Sequence, residues 1–503
     1  AGSLAYAEIR GDLPGDQRAQ LGAFLSHFPG FADQSTLELK LSETLDKILR
    51  QATDGRHDYS SEIKPWFGGQ IALDLPKNPV DPTALRTTGA GYLAITDAAK
   101  AKAYLDGLIG SSPTEETRDG VAVYVFDKGA YAIDGTVLLL GDAATVRSSL
   151  DAAHAANGVG RLADEAGFKA ALSSAKGDWL VFGFVNPAAM TATQRAAMPS
   201  PAISMPDFQA CAGGLSLLQS PTADWEAFNL RAEGSALKVQ VALPSTAVGS
   251  LSAPHSSRLA AHLPASTIAE YGLHDVGKTL QTVLDNCRKD PEIAKMLQQV
   301  DQAVSSFGGY QQLIGWIGDA DLAITRDGGK IGGGIVVLAT SKEDASRIAA
   351  QARNVLAIGA STAGITTSDE DYNGTTITLI HSSKPDTEPA FPGIAFAVRD
   401  DLVAIGWGNA FVKQVLDAKA GASLADQARY KQAIDLVGAE NIGQAYVDLA
   451  AVREAIESSF PAGADLHQYT AEYKPYLAPF DLLAMASTAD GGVVTGTVVV
   501  TAK

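Results

Sequence analysis

Apolar and polar residues alternate along this chain with two periods, which occur in a recurring order. Residues 4–9 alternate as a strand does, whereas residues 17–28 and 39–51 carry apolar side chains at helical spacing. Further strand patterns at 71–75 and 91–95 precede a helical pattern at 98–108. Apolar runs broken by short Gly-containing turns then predict hairpins. Because helices and hairpins are mixed, without strict alternation, the pattern predicts an α+β fold with a largely antiparallel sheet and packed helices.

An internal repeat organises the chain. Seven segments of the first half recur in the second half in the same order, which indicates a tandem duplication of a unit of roughly 240 residues. The matched segments are 4–7 with 268–271, 65–69 with 315–319, 91–97 with 334–340, 131–133 with 396–398, 146–152 with 412–418, 162–169 with 424–431, and 184–186 with 446–448. We therefore predict two homologous units, 1–248 and 259–503. The small, polar, Pro-bearing stretch 249–258 is predicted to be their linker.

Composition and charge narrow the class of protein. The 503 residues are 46% hydrophobic and 19% charged, which excludes long disorder and a disulfide-dense miniature fold. A net charge of -18, from 39 Lys+Arg and 57 Asp+Glu, argues against nucleic acid or an anionic membrane surface as a partner. No apolar run is long enough to predict a membrane span. The chain starts at Ala1 without Met, and we expect this to be a trimmed or mature end from which any leader or anchor is gone.

The segment Asp58–Gly68 resembles the signature of a bacterial family, domain of unknown function 3352. It carries an aromatic residue, an acidic-aliphatic pair and then Pro-Trp-aliphatic-Gly. The segments 5–8, 15–17 and 28–30, with the strand and helix over 91–105, are similar to the family as well, although Gly315 replaces Pro65 in the second unit. The resemblance covers most of the chain. It implies an exported protein that is secreted or held at the cell surface and that follows an N-terminal signal or a single membrane helix. The resemblance says almost nothing about activity.

Metal-ligand patterns are scarce in the sequence. No two of the eight His stand four residues apart, and none pairs with a Cys at zinc-finger spacing, so no metal or cofactor is predicted unless distant His converge. Asp369, Asp371 and Asn373 copy the first half of an EF-hand loop, but Ile380 stands where the loop needs Glu. The calcium interpretation is weak, and a hairpin turn, matched by residues 115–120 in the repeat, is favoured.

Nucleophile motifs are equally scarce. The chain has no Gly-x-Ser-x-Gly, and Ser173-x-x-Lys176 lacks the partner motifs of penicillin-binding enzymes. We predict no catalytic residue.

Trp66 and Trp316 recur at matching positions of the repeat, which favours packing anchors over ligand platforms. The two cysteines, Cys211 and Cys287, could form one disulfide between the halves if the protein is exported, or they could be two buried free thiols. The sequence leaves both alternatives open.

These observations predict a non-enzymatic binding or scaffolding ectodomain located outside the cytoplasm, with a protein or small-molecule ligand at a groove between the units as one option. The first alternative is a hydrolase, and buried polar groups in one unit only would favour it. The second is a self-assembling surface-layer or filament subunit, and exposed apolar strands at 237–243 or 493–500 would favour it.

Overall fold

The computed structural model describes residues 2–76, 89–110, 112–156, 160–190, 223–247, 253–289, 291–305, 308–382, 393–461 and 466–503. The chain divides into two compact units. The first comprises Ala1–Ala202, Leu218–Ala247 and Ala502–Lys503, and the second comprises Ile203–Leu217 and Val248–Thr501.

The first unit is built on antiparallel strands. Neighbouring strands pair in the order β4-β5-β6-β7-β3-β2-β1-β8-β9-β10. Their bounds are β1 Ser3–Arg10, β2 Phe67–Pro76, β3 Ala90–Ile95, β4 Thr114–Arg118, β5 Val121–Phe126, β6 Gly129–Asp134, β7 Val137–Gly141, β8 Val181–Val185, β9 Glu226–Glu233 and β10 Ala236–Pro244.

The second unit repeats this topology strand for strand. The pairing order is β14-β15-β16-β17-β13-β12-β11-β18-β19-β20, again antiparallel wherever the register is defined. The bounds are β11 Thr267–Leu273, β12 Ile317–Asp327, β13 Lys330–Ala339, β14 Ile365–Tyr372, β15 Thr375–Ser382, β16 Ile394–Arg399, β17 Leu402–Trp407, β18 Gly443–Asp448, β19 Phe480–Asp490 and β20 Val493–Ala502. The predicted α+β fold with a duplicated antiparallel unit is confirmed.

Helices pack beside the strands of each unit. They are α1 Gln17–Leu25, α2 Leu37–Ala52, α3 Ala98–Ile109, α4 Ala143–His154, α5 Ala166–Ser174, α6 Val276–Cys287, α7 Pro291–Ser305, α8 Gly309–Ile314, α9 Lys342–Ala363, α10 Asn409–Asp417, α11 Ala428–Val437, α12 Leu449–Ser458 and α13 Lys474–Leu477. Asp97 caps α3 by accepting a hydrogen bond from the Lys100 amide, as its position in the sequence predicts. Among the described residues, none of the helices has both the length and the apolar character that crossing a membrane requires.

Two predicted turns are strands in the structure. Residues 114–118 form β4 and residues 365–372 form β14, and the turns are confined to Asp119-Gly120 and Asn373-Gly374. Both strands lack the apolar alternation that marks a half-buried strand. They are held by pairing with β5 and β15 and by ion pairs: Glu116 with Arg147, and Glu370 with Lys413.

Other predicted segments are partly outside the described residues. These include residues 215–218, whose apolar run predicts a strand, and residues 249–252 of the linker expected at 249–258. Within that linker, His255 forms a bridge with Asn441 and Arg258 binds Asp319, so this part of the chain is anchored in the second unit. The linker bounds themselves stay a prediction.

Candidate functional site

An apolar cavity of about 390 Å³ lies in the first unit, between one face of the sheet and the segments that cover it. Its floor is a row of directly opposed aliphatic residues on four neighbouring strands: Ile9, Ile71, Leu93 and Leu138. Such cross-strand contacts keep the row in register. The lining residues that the structure describes are aliphatic, aromatic or glycine, and none of them is charged.

The covering segments follow from local sequence signals. Asp58 caps a short π-helical turn over residues 59–63 by accepting hydrogen bonds from the Ser60 and Ser61 amides. This turn brings Tyr59 and Ile63 to the cavity, and α3 adds Tyr104, Leu105 and Leu108.

A bulge in β2 shapes the cavity wall. The pairing of β2 with β3 shifts between Phe67 and Ile71, and Gly69 within it has φ +88°. A Cβ on Gly69 would lie 2.9 Å from the Asp12 amide nitrogen, so the close approach of the two backbones requires glycine here. Bulges of this kind bend a strand and redirect its side chains.

The mouth of the cavity is apolar as well. Ile9, Leu45 and Leu108 line the cavity and remain 50%, 42% and 47% exposed. Exposed aliphatic side chains beside an apolar cavity mark a place where an apolar ligand would bury surface that the folded protein leaves in water.

The second unit places polar residues where the first unit has an aromatic cluster. In the first unit Tyr6, Phe168, Phe182 and Phe184 pack edge to face around Phe168. The strand register and the repeat place Glu270, Tyr430, Gln444 and Tyr446 at the same positions. We call Glu270, Asp321, Tyr430 and Gln444 the polar centre.

Two carboxyl groups face each other in the polar centre. Glu270 and Asp321 are 2% and 1% exposed, and one oxygen of each lies 2.6 Å from the position of a Cβ on Gly272. Gln444 donates hydrogen bonds from Nε2 to Glu270 Oε1 at 3.3 Å and to the Tyr430 hydroxyl at 2.6 Å. No other described group donates to Asp321, which leaves the carboxyl of Glu270 as its partner.

Burial dominates the proton affinity of this pair. It raises the pKa of Glu270 well above the ordinary value, and the neighbouring Asp321 raises it further. Burial, together with the charge of Asp319, raises the pKa of Asp321 to about 7. Both shifts favour a proton on this pair, because two adjacent carboxyl groups in a dry site repel each other when both are charged.

A second polar group, which we call the histidine cluster, lies beside the polar centre and consists of His255, Arg258, His274 and Asp319. The two imidazole rings stack with centroids 4.1 Å apart. Arg258 donates to both oxygens of Asp319, each at 2.7 Å. Burial alone would raise the pKa of Asp319, but these hydrogen bonds and one from the Asp275 amide outweigh it and lower the pKa.

Asn441 joins the two groups. It is fully buried, its carbonyl accepts a hydrogen bond from His274 Nδ1, and its side-chain amide donates to Gln444 Oε1. Sequence spacing does not predict this arrangement, because His255 and His274 come from separate segments. The distant convergence that the sequence left open does occur.

The structure places the predicted tryptophans in equivalent settings. Trp66 is 3% exposed, and its Nε1 donates to the Glu62 carbonyl. Trp316 is half-buried, and its Nε1 donates to the Leu313 carbonyl. Trp66 also lines the apolar cavity, so it combines a core position with contact to the candidate site.

The residues of the calcium hypothesis occupy one hairpin. Asp369 accepts a hydrogen bond from the Thr378 hydroxyl, and Asp371 lies near the Gly374 amide at 3.4 Å. Asn373 forms the turn, with φ +52°. The calcium site stays a prediction.

Cys287 is 2% exposed at the end of α6 and packs with Val283, Ile293 and Leu297. Cys211 lies outside the described residues. Cys287 is not a free thiol, which argues against the alternative of two free thiols, and its pairing with Cys211 stays a prediction.

Comparisons with known proteins give a family. No curated protein matches the chain. Solved structures of TP0453 align with it: crystal form IV at 10% identity over 50% of this chain and 79% of that one, with a TM-score of 0.26, and crystal form III at 11% identity over 48% and 76%, with a TM-score of 0.25. The model of the family described as "Protein of unknown function (DUF3352)" matches residues 20–351 and 311–471. These two overlapping matches span most of both units, and the chain belongs to this family, as the Asp58–Gly68 signature predicts.

Proposed function

We propose that this chain is a non-enzymatic binding protein that works outside the cytoplasm and holds an apolar ligand in the cavity of its first unit. The observation that carries the proposal is the 390 Å³ cavity, whose lining has no charged residue and whose mouth is built from Ile9, Leu45 and Leu108. Its volume lies within the range of small-molecule pockets. The extracytoplasmic location rests on the family resemblance alone.

The ligand class follows from the lining. An aliphatic chain gains about 0.8 kcal/mol for each methylene that it buries, and a cavity without charged groups offers nothing to compensate a buried charge. Tyr59 and Tyr104 are the lining residues with a hydroxyl group, and they suit a single polar end. We therefore infer a single acyl chain or a similarly shaped apolar molecule.

Non-enzymatic binding is preferred over hydrolysis for a physical reason. Buried carboxyl groups in one unit only are what we expect of a duplicated enzyme, and Glu270 and Asp321 fit that expectation. Both are almost completely buried, however, and a substrate must reach the group that acts on it. A hydrolase is the second candidate, and turnover of a panel of esters, peptides and glycosides that is lost in Glu270→Gln would favour it.

Self-assembly through exposed strands has less support. The side chains over 237–243 and 493–500 are buried or half-buried, so the exposed apolar strands on which that alternative depends are missing from these segments.

The experiment is a fluorescence titration of the whole chain with a naturally fluorescent polyene fatty acid. We expect saturable binding at one site per chain. Leu45→Asp, at the cavity mouth on α2, should weaken the affinity at least tenfold. Leu39→Asp is the matched control, since Leu39 lies on the same helix, is 57% exposed and does not line the cavity.

Absence of saturable binding by the wild-type chain would refute the proposal. Equal losses in the Leu45 and Leu39 variants would also refute it, because they would place the ligand on the surface of α2 and not in the cavity.

A further inference from the structure

Both rings of the histidine cluster are held in one protonation pattern. His274 Nδ1 lies 2.8 Å from the Asn441 carbonyl oxygen, and His255 Nδ1 lies 2.9 Å from the Ser256 carbonyl oxygen. A carbonyl oxygen only accepts, so Nδ1 carries the proton in each neutral ring. The lone pair therefore resides on Nε2 in both rings.

These two lone pairs lack a donor. His255 Nε2 and His274 Nε2 are buried, and no described group bonds to either of them. His274 as a whole is only 3% exposed. Leaving a buried acceptor without a hydrogen-bond donor is destabilising, so two adjacent ones indicate a partner such as a cation.

The third group beside them is also an acceptor. His255 Nε2 lies 3.7 Å from Asp319 Oδ1, and the ligating atoms of His255, His274 and Asp319 all lie within 4.8 Å of one another. Three converging acceptors with two free lone pairs match the requirements of a cation. Metal-bound histidines commonly donate their other ring nitrogen to a backbone carbonyl, as both rings do here.

We propose that His255, His274 and Asp319 form a binding site for a divalent transition-metal ion of the zinc type. Two imidazole nitrogens and one carboxylate favour zinc, copper or nickel over magnesium and calcium, which prefer oxygen ligands throughout. A water molecule would complete four-coordination.

Two features of the cluster disfavour metal binding and must change when an ion binds. Arg258 already binds both oxygens of Asp319, and its positive charge repels a metal ion. The guanidinium is half exposed and can swing into solvent. The ring planes differ by only 14°, so one ring must turn for both lone pairs to reach the same ion. His255, with a side chain 28% exposed, is the ring that has room to turn.

Among the described residues, the first unit has other side chains at the positions that match His274 and Asp319. The strand register places Arg10 where the second unit has His274, and Arg10 lies over the Trp179 ring at 5.6 Å. Asp319 lies in a bulge of β12, and the matching bulge of β2 contains Gly69 and Gln70. The proposed metal site is therefore a property of the second unit.

The test is isothermal titration of the whole chain with ZnCl₂ at pH 7.5, with MgCl₂ as the comparison ion. We expect one zinc ion per chain and no magnesium binding. His255→Gln should weaken zinc binding at least tenfold, while His381→Gln, on β15 away from the cluster, should change it less than twofold. Arg258→Gln should tighten binding about tenfold or more, because it removes the competing cation.

A fold check accompanies each variant. His274 is buried, so His274→Gln is interpreted only if its circular dichroism spectrum matches the wild type, and the half-exposed His255 serves otherwise. Cobalt substitution gives a second readout, since tetrahedral cobalt should produce visible absorption that His255→Gln removes. No saturable zinc binding by either the wild type or Arg258→Gln would overturn the proposal and leave water as the partner of the two nitrogens. Binding that is unchanged in His255→Gln would overturn it as well.

Discussion

The two units share one topology and differ in what they bury at the same positions. Around the strand pair β1 and β8, the first unit packs Tyr6, Phe168, Phe182 and Phe184. Around β11 and β18, the second unit places two carboxyl groups, an amide and a tyrosine hydroxyl. Backbone pairing is the same in both, so the sheet does not dictate whether this site is apolar or polar.

On the other face of the sheet, the side chains at matching positions differ in size between the two units. The first unit has the row Ile9, Ile71, Leu93 and Leu138 beneath an open cavity. The register places Leu273, Ala320, Val337 and Val403 at the same row in the second unit, and Val337 and Val403 pack against Ala345 of α9. The comparison teaches that a duplicated fold can keep its hydrogen-bonded frame while each copy acquires a different interior.

The largest effect is expected from exchanging the interiors. Phe182→Gln introduces the residue of the second unit into the aromatic cluster of the first. Phe182 is fully buried against Phe168 and Trp179, and we expect a loss of about 4 kcal/mol, from lost packing and an amide without partners. Urea unfolding measures this change.

The control for this exchange is Leu172→Gln, at a position 43% exposed on α5. It should cost less than about 1 kcal/mol. A loss in Phe182→Gln no larger than that of the control would show that the two interiors are interchangeable and would break the comparison.

A smaller effect of opposite sign is expected in the polar centre. Burial raises the pKa of Glu270 in the folded protein, so the folded state binds this proton more tightly than the unfolded state does. The stability of the protein therefore falls as the pH rises from the pKa of the unfolded state to the pKa of the folded state. Glu270→Gln removes this dependence. We expect the variant to be more stable than the wild type at pH 8 by on the order of 1–3 kcal/mol, and to lose that advantage near pH 4.

Thermal unfolding between pH 4 and pH 8 tests this expectation. Glu454→Gln, at an exposed position of α12 in the same unit, is the control and should leave the pH profile unchanged. A parallel profile for Glu270→Gln and the wild type would contradict a protonated carboxyl pair.

The smallest effect is expected at an ion pair that both units keep. Glu116 with Arg147 and Glu370 with Lys413 occupy matching positions on the β4 and β14 strands. Both pairs are partly exposed, so removing either cation should lower the unfolding temperature only slightly, and 0.5 M salt should remove most of the difference. Unequal responses of Arg147→Ala and Lys413→Ala at high salt would show that the units differ here as well.

Local pattern predicts much of the frame. The Asp97 cap, the hairpins over 121–140 and the duplicated order of strands follow from periodicity, turn residues and the repeat. The strands β4 and β14 do not, because their charged residues lack apolar alternation and their pairing partners supply the order.

The candidate sites are harder to predict for a different reason. The cavity depends on how α2, the turn at 59–63 and α3 cover the sheet, and the histidine cluster depends on a bulge that aims Asp319 at rings from two other segments. The residues that form either arrangement are not separated by a sequence spacing that would identify it. One signal was available: the repeat aligns Phe168 with Tyr430 and Phe184 with Tyr446, and this change of polarity at matched core positions marks where the units diverge.

The most direct test of the account is hydrogen exchange of the whole chain with and without a saturating long-chain fatty acid. The account predicts slower exchange in α2, the turn at 59–63 and α3, which cover the cavity, and no change in α9, which packs over the matching row of the second unit. Equal protection in α3 and α9, or no protection in α2 and α3, would contradict the claim that the first unit holds the apolar ligand.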